Sequence, residues 1–213
     1  MKTIFIKNYL LVIFIFSFFN CFSQDIKSDE EYYQEGIDYY KDALFDKAFI
    51  VFYNLSEKGD RDSQFNVTNM FQQGVGTTQN FPEALKWCWL CALGGEKKCY
   101  EKIAEILPKV DEKSLLKKKN EIEKFLEKKM NFNQDVKYAL MLGFWYEKFS
   151  PEKDLELAYL WYSVAVTGGM YKAMKNRNSV GDSLEVETLV DLQNKASKIF
   201  SDIKYFNKKD KGK

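Results

Sequence analysis

With 213 residues, 46% of them hydrophobic and 16% aromatic, the chain can bury a substantial core as one elongated domain or two close ones, which excludes disorder for most of its length. Its formal net charge is +1, and setting aside Lys2 and Lys7 leaves 30 basic against 31 acidic residues, so no global attraction to nucleic acid or a membrane surface is expected. There is no histidine, which removes Ser-His and Cys-His catalysis, histidine-ligated metals and the ordinary pH switch together.

The chain opens with Lys2 and Lys7 ahead of an apolar run from Tyr9 to Phe19, shorter than the ~20 residues a bilayer span needs. This reads as a secretory leader over residues 1–23. Cys21 and Ser23 stand at positions −3 and −1 of a cut after Ser23, so the mature chain is expected to begin at Gln24. The alternative is a lipoprotein acylated at Cys21, but Phe18 and Asn20 fit poorly where such signals carry an aliphatic and a small residue.

From about Asp29 the pattern is helical, without period-2 alternation and with only three prolines, so the class is all-α. A first helix from about Glu30 to Lys41, with Gly36 and Tyr39 three apart, turns into a second from about Asp46 to Lys58, ended by Gly59. The next pair, Arg61 to Gln73 and Phe81 to Leu93, repeats this hairpin with Thr68 and Phe71 at the equivalent places. Its turn is longer, and Gly74 and Gly76 are expected to supply positive φ there. Asn80 can cap the second helix while Glu83 reaches back, Pro82 stands in the first turn, and the paired glycines ending in Gly95 stop it.

Residues 96–130 lack the hairpin pattern and read as a short helix followed by a lysine-rich one. A third hairpin follows, carrying Leu142, Gly143 and Tyr146 on its first helix and Ala158, Trp161 and Ala165 on its second. Ala84, Trp87 and Gly95 recur at Ala158, Trp161 and Gly169, and at Ala48, Val51 and Gly59. The 74-residue step from Trp87 to Trp161 also carries Cys99 to Ala173, Leu115 to Leu189, Asn120 to Asn194, Lys124 to Lys198 and Phe125 to Ile199. An opening hairpin is therefore followed by a larger unit used twice. The expected division of 24–213 is repeats at about 30–60, 61–95 and 133–169, with intervening helices at 96–130 and 170–203. The tail, YFNKKDKGK, is too polar to pack and is expected to fray.

The glycine turn with Ala84, Trp87, Ala92 and Gly95, and the run Leu142-Gly143, Tyr146, Asp154, Ala158, Trp161, Ala165 and Gly169, resemble the Sel1-like repeat, a relative of the tetratricopeptide repeat. The resemblance covers about half of the mature chain. It implies a solenoid of right-handed stacked antiparallel helix pairs, used as an adaptor or scaffold for other proteins. Physics reaches the same architecture, because each hairpin has an apolar face that only a stacked neighbour can cover. Alanines at 48, 84 and 158 allow close helix approach and Trp87 and Trp161 fill the space beside them, which makes these residues core rather than ligand sites.

Cys91 and Cys99 flank the paired glycines, and their equivalents are Ala165 and Ala173, two small side chains near one another. An exported, cysteine-rich branch of the Sel1-like family has this spacing and forms a disulfide there, so the resemblance implies a Cys91–Cys99 bridge. Cys88 and Cys91 also make a C-x-x-C, but Cys88 lies two turns into its helix, where the dipole that activates redox thiols is spent. Zinc would lack a fourth ligand, since three cysteines survive processing and no histidine exists.

Two S-x-x-K strings, Ser114 to Lys117 and Ser150 to Lys153, have no SDN or KTG after them and are expected by chance in so lysine-rich a chain. Asp29, Glu30 and Glu31 favour a helix dipole rather than acid-base work. Lysines from Lys109 to Lys129 alternate with Asp111, Glu112, Glu121, Glu123 and Glu127, as on a solvated helix face. No catalytic residue, cofactor site or metal site is expected. The reading is an exported, non-catalytic module in the periplasm or medium, with a protein or peptide partner, no nucleic acid and no transmembrane segment after leader removal. Rings such as Tyr32, Tyr33, Tyr39, Tyr40 and Trp145 are candidate contacts. The alternatives are a lipid-anchored protein, or an enzyme acting on cell-wall material for which Ser114, Ser150 and Cys88 are the candidates.

Overall fold

Ser28 starts the first helix: its hydroxyl accepts the Glu31 N–H, and the Glu31 carboxylate accepts the Ser28 N–H at 2.6 Å, a reciprocal cap. The computed structural model describes residues 27–133 and 135–209. The expected leader, its cut after Ser23 and Cys21 lie outside these residues.

The helices are α1 (Asp29–Lys41), α2 (Phe45–Lys58), α3 (Arg61–Gln73), α4 (Phe81–Leu93), α5 (Lys98–Ile106), α6 (Glu112–Asn133), α7 (Lys137–Phe144), α8 (Leu155–Thr167), α9 (Met174–Gly181) and α10 (Val186–Lys209). A π-helical turn, Trp145–Phe149, continues α7, and short 3-10 turns cover Leu107–Lys109 and Tyr171–Ala173. No strand occurs among the described residues. Each of the first four helices packs on the next; α5 and α6 both pack on α4, α7 on α6, and α8 takes α7, α9 and α10. The chain is an all-α, α/α solenoid of antiparallel hairpins.

The 74-residue step is visible in three dimensions. α4 starts at Phe81 and α8 at Leu155, α6 starts at Glu112 and α10 at Val186, and α10 packs on α8 as α6 packs on α4. Asn80 and Asp154, one step apart, each accept the N–H three residues on, that of Glu83 at 3.0 Å and that of Leu157 at 2.9 Å. Glu83 does not reach back to Asn80, whose own N–H donates to the Phe71 carbonyl. Its carboxylate turns instead to Lys86 and Lys118.

Gly76 sits at φ +72°, and a Cβ there would stand 2.2 Å from the Phe45 carbonyl oxygen. The turn between α3 and α4 is thus pressed against the start of α2, a closeness that only a residue without a side chain permits. Inside hairpins the same device is used against rings: a Cβ on Gly36 would meet Phe52 at 2.8 Å, and one on Gly143 would meet Tyr162 at 2.4 Å.

Two expectations need correction. The lysine-rich helix is not a wholly solvated face, because Lys118 is only 5% exposed and joins α6 to α4 through Glu83. The described part of the polar tail is helical where fraying was expected: α10 runs on through Lys209.

Candidate functional site

The repeat positions lie where packing needs them. Ala84 and Ala158 are fully buried, as are Trp87 and Gly143, while Trp161 is 8% and Tyr146 6% exposed. Trp87 lies edge-on to Tyr53 of α2 at 5.3 Å and to Phe125 of α6 at 6.5 Å, so it is the joint between successive hairpins. Gly74, Gly95 and Gly169 take φ of +72°, +95° and +96°. Trp145 is not a free contact. It is fully buried, lies edge-on to Trp89 at 5.2 Å and donates its indole N–H to Glu123 at 3.1 Å.

The structure joins Cys91 to Cys99, with Cα atoms 6.1 Å apart, tying the end of α4 to α5. The equivalent Ala165 and Ala173 are both fully buried. Cys88 is a buried free thiol donating to the Cys99 carbonyl at 3.2 Å, and desolvation pushes its pKa up to about 12. Its thiolate is therefore scarce near neutrality. Iodoacetamide is expected to leave Cys88 unmodified in the folded chain and to label it only after unfolding. Mass spectrometry finding native labelling at the rate of a free peptide thiol would contradict this.

The other nucleophile candidates are scattered and occupied. Ser150 is buried and donates to the Glu152 carbonyl at 2.8 Å, while Ser114 gives its N–H to Asp111 in the first turn of α6. Lys153, in the other S-x-x-K string, is exposed. The π-helical turn, a feature often found at functional sites, has the same structural character here. Burial alone would raise the Glu147 carboxyl, but Lys148, Tyr162 at 2.5 Å and Asn176 at 3.1 Å hold it below the usual glutamate range. That carboxylate ties the turn to α8 and α9. Among the described residues no group of three or more His, Cys, Asp or Glu is placed to hold a metal ion, and no helix is long and apolar enough to cross a membrane.

What is left open is a surface. A groove of about 680 Å³ runs along the outer side of α1 and α2, lined by Tyr32, Glu35 and Tyr39 from the first helix and Ile50, Val51 and Lys58 among others from the second. Ile50 is 58% exposed. The register explains the groove: Val51 holds the position of Trp87, whose ring is covered by the preceding hairpin's Tyr53, and among the described residues no hairpin precedes α1. Tyr39 donates to Glu35 at 2.9 Å, which raises the phenol pKa, and Lys27 together with that bond holds the Glu35 carboxyl low. Lys47 stands 5.6 Å from the Tyr39 ring centre and Lys58 5.9 Å from that of Tyr32. Glu35, Tyr39 and Lys58 are already paired, so beside the exposed Asn54 and Lys47 the groove offers mainly rings and aliphatic carbon. Of its residues, sequence reasoning singled out Tyr32, Tyr39 and Val51 but not Ile50, although Ile50, Asn54 and Lys58 mark one stripe of α2 at helical spacing.

No family model matches the chain, and no curated protein is similar to it. Similar solved structures include the following two. One is a protective antigen present in uropathogenic Escherichia coli strains and displaying an SLR fold, 19% identical over 83% of this chain and 30% of that one, with a TM-score of 0.36. The other is a Sel1 repeat protein from Oxalobacter formigenes, 17% identical over 85% of this chain and 93% of that one, with a TM-score of 0.30. The chain thus spans under a third of the first of these proteins and nearly the whole length of the second. On its own coordinates the chain is a helical repeat protein, and its relation to these Sel1-repeat structures is a likeness of fold.

Proposed function

We propose that the chain is an exported, non-catalytic interaction module that binds a peptide or an envelope protein on its solenoid surface. The observation that carries this reading is the uncovered α1–α2 groove, where Tyr32, Tyr39, Ile50 and Val51 offer apolar and aromatic surface that a stacked neighbour would otherwise bury. A helical or extended segment laid there would complete the stack as the next hairpin does elsewhere in the chain.

Affinity capture with the exported protein tests it. The unaltered chain is expected to retain a defined partner that an Ile50→Glu variant, equally folded by circular dichroism, does not retain. Recovery of the same proteins by both would overturn the reading. The exported form should begin at Gln24 by N-terminal sequencing, whereas a fatty acid on Cys21 would replace soluble export with anchoring.

A further inference from the structure

A second recess, separate from the α1–α2 groove, lies where the two larger units meet. It has a volume of about 290 Å³ and is walled by the start of α3, the end of α4, Phe125 of α6, the first turns of α7 and the loop after α8. Its chemistry is one-sided. Among the described residues the ionisable groups in the wall that carry charge are Arg61, Lys137 and Lys172, and no carboxylate lines it. Arg61 spends one N–H on the Gly94 carbonyl at 3.2 Å, and Lys137 pairs with Asp135 at 3.1 Å beside the recess. Neither Arg61 nor Lys172 has a carboxylate partner among the described residues. Below the cations the wall is apolar, made by Leu90, Leu93, Phe125, Met141 and Met170.

We infer that this recess binds the C-terminal end of a peptide whose last residue is apolar, with the terminal carboxylate among Arg61, Lys137 and Lys172 and the side chain against the leucines and methionines. Three arguments choose this occupant. Cations over an apolar floor, with Arg61 and Lys172 lacking a carboxylate partner among the described residues, select an amphipathic anion, and guanidinium and ammonium groups are the usual carboxylate binders. The volume suits about one or two residues rather than an extended acyl chain or a folded domain. Gln64, 3% exposed and in the wall, gives its amide N–H to the Ser56 carbonyl at 3.2 Å and leaves its own oxygen without a partner. That oxygen is sealed from solvent in the free chain, so once the side chain turns toward the recess a peptide can bring it an N–H and a fatty acid cannot. Methionine, adaptable in shape, allows for more than one terminal side chain.

The inference rests on the reading of the chain as a peptide-binding module, but not on the α1–α2 groove. The test uses fluorescein-labelled Gly-Ser-Gly-Ser-Leu-Phe as free acid and as C-terminal amide, titrated with the exported chain and followed by anisotropy. The acid is expected to bind at least about tenfold more tightly than the amide, more weakly as salt rises, as removal of a charge-assisted contact implies. Lys172→Glu, on an exposed turn, should abolish that preference, while Lys195→Glu, an equal charge change on the exposed side of α10 outside both recesses, should leave it unchanged. Equal binding of acid and amide, no binding of either, or an acid preference that survives Lys172→Glu would overturn the assignment. An amide peptide with an internal glutamate that binds as well as the free acid would also overturn it, in favour of an acidic side chain. If the peptides fail but Ile50-dependent capture succeeds, only this recess is wrongly assigned; if both fail, the interaction-module reading falls with it.

Discussion

Trp87→Ala is expected to lower the unfolding free energy by about 3–5 kcal/mol, the range for removing a large ring from a packed core. The side chain is fully buried between α2 and α6, edge-on to Tyr53 and Phe125, so its loss opens a cavity at the seam between two hairpins rather than within one. Its indole N–H has no hydrogen-bond partner, and Lys86 stands 4.7 Å from the ring centre. Trp87→Phe, which keeps most of the volume and deletes the unpartnered N–H, should therefore cost only about 1 kcal/mol. Urea unfolding followed by circular dichroism at 222 nm measures both. Equal losses for the two variants would contradict this account of the ring's volume as the main contribution.

The second large effect concerns Lys118. Its ammonium, almost out of solvent, touches Glu83 across helices and Glu121 at 2.8 Å on its own helix. One 74-residue step on, the places of Glu83 and Lys118 are taken by Leu157 and Leu192, and Leu192 is likewise buried. At these two repeat positions the first unit carries an ion pair and the second carries two leucines. Removing Glu83 alone leaves the buried Lys118 ammonium with Glu121 as its only carboxylate among the described residues, so Glu83→Leu should cost about 2–3 kcal/mol, below the usual toll for a fully buried pair because Glu121 remains and the glutamate is partly exposed. Glu83→Leu with Lys118→Leu should return to within about 1 kcal/mol of the parent, because the desolvation penalty of both charges disappears with them.

Acid adds a second readout. Burial would raise the Glu83 carboxyl, but Lys118 and Lys86 outweigh it and hold the pKa below the ordinary 4.5. The folded value lies under the unfolded one, so the stabilisation is complete above 4.5 and is lost as pH falls through the folded value. Burial likewise disfavours the charged Lys118, yet its glutamate partners raise it above 10.5, so its share persists below that pH and fades only in alkali. Stability of the double variant should fall less steeply between pH 5 and pH 3 than that of the parent, as measured by urea midpoints. A double variant as weak as the single one would refute the equivalence of the two units.

The hairpin ends were legible because the signals are local. Gly59, Gly74, Gly95 and Gly169 adopt the positive φ that stops a helix, and Asn80 caps as its side chain predicts. The 74-residue step was legible for the same reason that it works: equal spacing puts equal faces against equal neighbours. What failed depended on partners distant in sequence. Lys118 reads as a surface lysine among lysines, since its burial is set by α4, 35 residues away. Trp145 reads as a spare ring until α4 places Trp89 against it. The α1–α2 groove was half visible in Tyr32 and Tyr39, but whether a neighbour stacks on that face is not written in the face itself, and none does among the described residues. The basic recess draws on five segments of chain and has no sequence pattern at all.

The cysteine clamp is present in one unit and replaced by alanines in the other, although the backbone geometry at the two places is shared. The two halves therefore differ in how they come apart. The Cys91–Cys99 link removes about 2–3 kcal/mol of chain freedom from the unfolded state around the first unit, while nothing comparable restrains the second. Opening is expected to be polarised as a result: limited proteolysis should cut the turns of the distal unit first, and reduction of the bridge should erase that order.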